Sequence, residues 1–180
     1  MIINQQNLRM LFTGYKASFQ NAFAGIKPDF MPFTLEVPSV NSVEQYGWLG
    51  SSTAFREWIG DRVIQNLALH DYSIKNKPFE NTVGVSRESI EDDSFGLFNP
   101  LMGQLGQDSA NHPSTLIYEL LAGGFSGKCY DGQFFFDTDH PVTNKAGAEV
   151  SVSNLQGGSG TAWYLLDTSR VMKPVILQKR

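Results

Sequence analysis

The sequence predicts an α+β fold, and three features of its patterning carry that expectation. Apolar residues first recur at helical spacing over Leu8, Leu11, Phe12, Tyr15, Phe19 and Phe23. A second repeat runs through Leu97, Leu101 and Leu105 and resumes at Leu116, Ile117, Leu120 and Leu121. Between and after these lie short runs with strand character, "FTLEV", "YSI", "TVGV", "AWYLL" and "PVIL", set off by prolines, glycines and polar clusters.

Taken in order, the first stripe places six large side chains on one face of a helix. Asn4 is placed to cap its start, and Gly25 with Pro28 to end it. Such a face serves either the chain's own core or a terminal arm laid on another subunit. "FTLEV" (Phe33 to Val37) alternates as a half-buried strand between Pro32 and Pro38, and "SSTAFREWIGDRVI" reads as a short helix capped by Ser51 or Ser52. From His70 to Asp93, "YSI" and "TVGV" predict a hairpin across the polar residues Asn76 to Asn81. Both faces of that hairpin carry charge (Lys75, Lys77, Glu80, Arg87), so it needs a support from outside itself.

Asp92, Asp93 and Ser94 suit the positive end of the next helix, which is expected to reach Ala122 with Gly123-Gly124 as its cap. Pro113 marks either a kink or a fresh start. "GQFFFD" reads as a short buried strand, "NKAGAE" and "NLQGGSG" as turns or flexible links, and "AWYLL" and "PVIL" as two closing strands.

With 180 residues, the chain suffices for one domain with a core, or for part of a larger one. Charged residues make up only 18%, so much of the polar surface is neutral and suited to burial against partners. A net charge of −4 without any basic block argues against sequence-specific nucleic-acid binding. The single cysteine, Cys129, excludes an intrachain disulfide. No signal peptide and no membrane-length apolar run are visible, which makes cytosolic synthesis the expectation and membrane contact unexpected.

The stretch "CYDGQFFFDTDHP" gathers most of the chemistry-bearing residues. Asp137-x-Asp139 begins like a calcium loop, but Pro141 and Ala148 stand where further ligands belong. Asp139 and His140 are neighbours, so on a strand they would diverge. Asp137, Asp139 and His140 are nonetheless the set that a small metal-dependent hydrolase would use. "AGGFSGKC" lacks the first glycine and the final hydroxyl of a phosphate loop, and "GFSGK" lacks the last glycine of a nucleophile elbow. Cys129 reads as a small buried hydrophobe. No catalytic residue, cofactor or metal is therefore expected.

Five separated blocks, in order, carry a resemblance. "LFTGYKASFQNAFAG", "REWIGDRVIQNLALHDYSIKN", "ENTVGVSRESIEDDSFG", "YDGQFFFDTDHPV" and "WYLLDTSRVMKPVILQKR" resemble the Mu-like phage major head subunits, the gpT-type major capsid proteins. The likeness extends from Met1 to Arg180.

What this resemblance implies is the Hong Kong 97-type phage capsid fold: an N-terminal arm over 1–32 and a P-domain over 33–129. The P-domain would include an E-loop hairpin at 70–93 and a long spine helix at 94–122. The A-domain would begin at 130–180, apparently truncated, because family members are longer. The implied function is a structural subunit, not an enzyme, that assembles with copies of itself into the icosahedral shell around DNA. Scaffold, protease and portal proteins of the same phage would be further partners, the virion its location and the host cytoplasm its place of synthesis. On that footing Phe12, Tyr15, Phe19 and Phe23 in the arm, and Lys75, Lys77, Glu80 and Arg87 in the E-loop, are the candidate subunit contacts. A non-assembling remnant is the alternative within the same family.

Overall fold

The computed structural model of the chain describes residues 4–49, 69–92, 96–144 and 148–180. The helix expected in "SSTAFREWIGDRVI" lies outside these residues. The described elements are α1 (Gln5–Gly25), β1 (Thr34–Pro38), β2 (Val43–Leu49), β3 (Leu69–Lys75), α2 (Arg87–Asp92), α3 (Phe98–Ala122), β4 (His140–Thr143), β5 (Glu149–Val152) and β6 (Val175–Lys179). Single 3-10 turns occupy Met31–Phe33 and Gly123–Phe125. The chain divides into two compact units, Met1–Thr34 with Pro78–Tyr118, and Leu35–Lys77 with Glu119–Arg180.

In the first unit, α1 begins where Asn4 was expected to cap it: the Asn4 carboxamide oxygen accepts the Asn7 N–H at 2.8 Å. The helix ends at Gly25, ahead of Pro28. Only Tyr15 of its aromatic stripe is buried; Phe12 and Phe23 are exposed. Gly106 of α3 faces the backbone of Phe19, whose carbonyl oxygen would lie 2.4 Å from an added Cβ. Only a glycine permits that approach.

After α1 the chain turns at Phe30, which is fully enclosed. Asp29 then holds α3 through two hydroxyls: Tyr118 donates at 2.8 Å and Ser114 at 3.4 Å. That hydrogen bond is the main reason the Tyr118 phenol is pushed up from its ordinary value.

The helix α3 is continuous for 25 residues, with Pro113 inside it; at ~1.5 Å per residue it is about 37 Å long. The prolyl ring removes one backbone donor without ending the helix. Its start is later than the acidic residues suggested, at Phe98, and the separate helix α2 precedes it. Ser86 caps α2 by accepting the Ser89 N–H at 3.1 Å. Gly123 and Gly124 do not form a left-handed cap. They continue the right-handed path as a 3-10 turn.

The second unit contains three two-stranded sheets among the described residues: β1 with β6, β2 with β3, and β4 with β5. β2 and β3 run antiparallel, with Val43 opposite Lys75 and Tyr46 opposite Tyr72. The expected hairpin within 70–93 is thus replaced. "YSI" does form a strand, but its partner is "VEQYGWL", which brings the tyrosines Tyr46 and Tyr72 into a cross-strand pair. "TVGV" carries no strand, and Arg87–Asp92 is helical. Pro78 lacks an N–H and Gly84 weakens a strand, so that run competes poorly for a partner.

β4 and β5 form a further antiparallel pair, His140 opposite Val152, where only turns were expected. "PVIL" becomes β6 with Val175 buried, but "AWYLL" forms no strand.

Candidate functional site

The base of the β2–β3 ribbon is held by a polar network built from β6 and the β1–β2 turn. Gln178 on β6 accepts the Tyr46 hydroxyl at 2.8 Å and donates to the Asn76 side chain at 2.8 Å. Asn76 in turn donates to the Asn41 carbonyl at 2.7 Å and to the Ser39 hydroxyl at 2.9 Å. The buried Ser39 hydroxyl shares its proton between the Asn41 carbonyl and the Glu44 carboxylate, each at 3.0 Å.

Glu44 also accepts the backbone N–H groups of Asn41 and Val40. These donors, led by Asn41, pull its carboxyl below the ordinary value of 4.5. A ribbon without a core of its own is fixed here at its root by hydrogen bonds. The remaining cationic end of β6, Lys179, pairs with Glu36 of β1.

The stretch Cys129 to Pro141 is also a structural assembly, though not the buried strand expected of "GQFFFD". Ahead of β4, apart from one bridge between Lys128 and Phe134, it forms no ladder. Phe136 N–H donates instead to the Gly124 carbonyl at 3.0 Å, and Phe135 N–H to the Gly127 carbonyl at 3.1 Å. The Phe136 ring lies over Gly124, 2.9 Å from where a Cβ would stand. Asn154 secures the far side, accepting the Asp137 N–H and donating to the Phe135 carbonyl, both at 2.8 Å. Gly132, with φ of +84°, supplies the left-handed turn that brings the two arms together.

Among the charged groups of this stretch, Asp137 accepts the N–H groups of Thr138 at 2.7 Å and Phe134 at 3.1 Å. The same two donors, Thr138 first, hold its carboxyl below 3.8. Asp139 is exposed. His140 pairs through Nδ1 with Asp131 at 2.7 Å, a partner that residue order did not suggest. Asp137, Asp139 and His140 therefore do not converge as a ligand set, and no group of three or more metal-binding side chains occurs among the described residues. Burial pushes the Cys129 thiol up, which disfavours the thiolate a nucleophile needs.

Of the predicted contact residues, Tyr15 is committed to the chain's own packing, edge-on to Phe12 at 6.3 Å. Phe19 stacks on Phe23 at 6.0 Å. Lys75, Lys77, Glu80 and Arg87 are all exposed, but they do not share one hairpin. Lys75 ends β3, Lys77 follows it, Glu80 stands in an irregular stretch, and Arg87 opens α2 and pairs with Glu91 at 3.1 Å.

A family model described as the Mu-like prophage major head subunit gpT matches residues 8–180. The chain belongs to that family. It is 40% identical to the major capsid protein of Escherichia phage Mu over 186 residues, covering 100% of this chain and 61% of the phage protein. The Mu-like prophage FluMu major head subunit of Haemophilus influenzae is 40% identical over 180 residues, at 96% and 58% coverage. The chain thus spans about three-fifths of the length of these curated relatives.

Among solved structures, a subunit of the bacteriophage JBD30 procapsid is 44% identical with a TM-score of 0.78, covering 98% of this chain and 61% of that one. The JBD30 capsid gives 43% identity and a TM-score of 0.54 over 92% of this chain. The fold is accordingly the α+β, Hong Kong 97-type fold of phage capsid proteins.

Two features of the second unit escaped the sequence reading. The polar root of the ribbon joins residues 39 to 46 with 76 and 178, a separation no local pattern reveals. The other is the segment after "NLQGGSG". Its exposed apolar side chains look in sequence like a buried strand.

Proposed function

We propose that this chain is a structural major head subunit of a Mu-like phage or prophage, which assembles with its own copies into the shell that encloses DNA. The observation that carries this reading is the likeness, at 44% identity over nearly the whole chain, to a procapsid subunit. A supporting feature is the thin core. Among the described residues only Tyr15, Phe30, Ile117, Leu121 and Val175 are buried hydrophobics, while many large apolar side chains remain in solvent. Subunits of a closed shell place such surfaces against neighbours.

In this reading residues 1–32 are the N-terminal arm, 33–129 the P-domain with α3 as its spine, and 130–180 the start of the A-domain. The β2–β3 ribbon takes the role of the E-loop in place of 70–93. Phe12, Phe19 and Phe23 then meet a neighbouring subunit, with Lys75, Lys77 and Glu80 at the rim of such contacts. The subunit works without catalysis in the virion after synthesis in the host cytoplasm, with the scaffold, protease and portal proteins of its phage as transient or vertex partners. The net charge of −4 fits a wall that encloses nucleic acid without gripping it. Among the described residues no helix is long and apolar enough to cross a membrane.

The test is assembly. The purified chain, alone and mixed with full-length phage Mu major capsid protein, is followed by light scattering and negative-stain microscopy. Rings, shells or incorporation into the shells of the relative are expected. A chain that stays a 20.0 kDa monomer and never enters those shells would sink the reading. Replacing Phe19 and Phe23 together by Ala is expected to reduce assembly more than it reduces the helical signal.

A further inference from the structure

The second unit contains a cavity of about 390 Å³, and all of its lining residues belong to that one unit. The β2–β3 ribbon contributes the cross-strand pair Tyr46 and Tyr72. The end of α3 contributes Leu121, the stretch that follows contributes Cys129 and Phe135, and the buried Val175 of β6 completes the lining.

Protein interiors are packed as densely as organic crystals, with few voids larger than a water molecule. A cavity of this size falls instead among small-ligand sites, which run from roughly 300 to 1,000 Å³ and are mostly apolar with a few placed polar groups. Here the polar groups are largely spoken for. The Tyr46 hydroxyl donates to Gln178 at 2.8 Å. Burial pushes the Cys129 thiol up, which keeps it neutral.

Lys128 is the one charged side chain of the lining among the described residues. It is exposed, and it enters no ion pair with a described carboxylate. Asp131, three positions on, is taken by His140 at 2.7 Å and by the Gln133 N–H at 3.1 Å. A phosphate or a nucleotide requires several converging donors, and one ammonium does not supply them. A single ammonium beside an apolar chamber matches a single carboxylate on an apolar body.

We propose that this cavity binds a medium-chain fatty acid, with the alkyl chain against Leu121, Phe135 and Val175 and the carboxylate at the Lys128 ammonium. The site is additional to the head-subunit reading and does not rest on it.

The test titrates the 180-residue chain with sodium decanoate, below its micelle concentration, by calorimetry. Cys129 is the single cysteine, so its rate of modification by an aromatic disulfide reagent reports on the cavity itself. Saturable 1:1 binding and clearly slowed modification of Cys129 are expected. From hexanoate through octanoate to decanoate, affinity should rise by up to about fourfold per added methylene. Lys128→Gln, at an exposed position, should weaken decanoate by about fivefold and leave decanol unchanged. Leu120→Trp, at a lining position 58% exposed, should weaken both ligands without loss of the helical signal.

No saturable binding of decanoate would overturn the proposal. So would a flat chain-length series, or binding that leaves Cys129 equally reactive, which would put the ligand elsewhere. Decanoate affinity unchanged in Lys128→Gln, or lost together with that of decanol, would remove the carboxylate and the proposal with it. Protection of Cys129 that grows with protein concentration, without any ligand, would give the cavity to a second copy and overturn it as well.

Discussion

The root of the β2–β3 ribbon and the strap at 161–172 belong to the same unit and solve opposite problems. At the root, Ser39, Glu44, Tyr46, Asn76 and Gln178 satisfy one another, so a two-stranded ribbon is aimed without a hydrophobic core. In the strap, one tyrosine is anchored while a tryptophan and a leucine remain in water. Hydrogen bonds are directional and specify where an element points. Apolar area is non-directional and holds whatever comes to cover it. The chain uses the first for positioning and leaves the second exposed at 161–172.

Within this unit the most disruptive of these changes should strike the floor under the strap. Gly124→Ala places a methyl group 2.9 Å from the Phe136 ring, which is wedged between Phe125 and Phe135. Overpacking of this kind costs about 2–3 kcal/mol. Thermal unfolding should show the loss, and an unchanged Tm would mean that the Phe136 ring is free to swing away. Next comes Gln178→Ala, which strips partners from Tyr46 and Asn76 together. A cost of about 2 kcal/mol is expected, since part-buried polar groups recover only some of their hydrogen bonds from water. Gln178→Glu, which keeps the acceptor for Tyr46 but loses the donor to Asn76, should fall between the two. Equal loss in both variants would show that the bonds donated by the Gln178 amide, to Asn76, Ser39 and the Ile74 carbonyl, carry the effect and the Tyr46 bond does not.

The contrast between the two regions also explains how far the sequence could be read. The elements with strong internal periodicity were legible: α1 with its Asn4 cap, most of α3, β1 and β6 all lie where spacing placed them. What failed was pairing. "YSI" is a strand, but nothing local says that its partner precedes it at Val43–Leu49. "GQFFFD" and "AWYLL" have the composition of buried strands. In the first, the amides of Phe135 and Phe136 are taken by carbonyls of the preceding turn. In the second, Tyr164 packs on Phe125 and Phe136 and Leu166 is half-buried, while Trp163 and Leu165 stay in solvent. A window of residues reports which side chains want burial, and it does not report whether the covering surface is present.

Acid should act on both regions, through one carboxylate in each. Glu44 at the root and Asp167 beside the strap have carboxyls lowered from 4.5 and 3.8, the first chiefly by the Asn41 N–H and the second by Ser169. A depressed folded-state value means that the stabilising contribution is fully present above the ordinary value. It is lost as pH falls through the folded one. Stability should therefore be flat from neutral pH down to about 5 and decline below 4.5. Glu44→Gln should flatten the acid limb measured by urea unfolding. If the limb stays as steep in that variant, other carboxylates carry it.

The smallest expected effect is the most telling for the strap. Trp163→Ser removes the largest side chain the sequence can offer, and in a buried site it would cost several kcal/mol. Here the indole is 95% exposed and packs on nothing described, so the change in stability should stay within about 0.5 kcal/mol. Tyr164→Ala, one residue on, should cost about 1 kcal/mol or more, because it gives up the contacts to Phe125 and Phe136. Both variants are read by thermal unfolding at low concentration, where association does not contribute. A Trp163→Ser loss as large as that of Tyr164→Ala would mean the strap folds back on its own unit, and the open face would close without a partner. Near-silence for Trp163→Ser beside a clear loss for Tyr164→Ala would show that the fold of this unit draws on the tyrosine and not on the indole next to it.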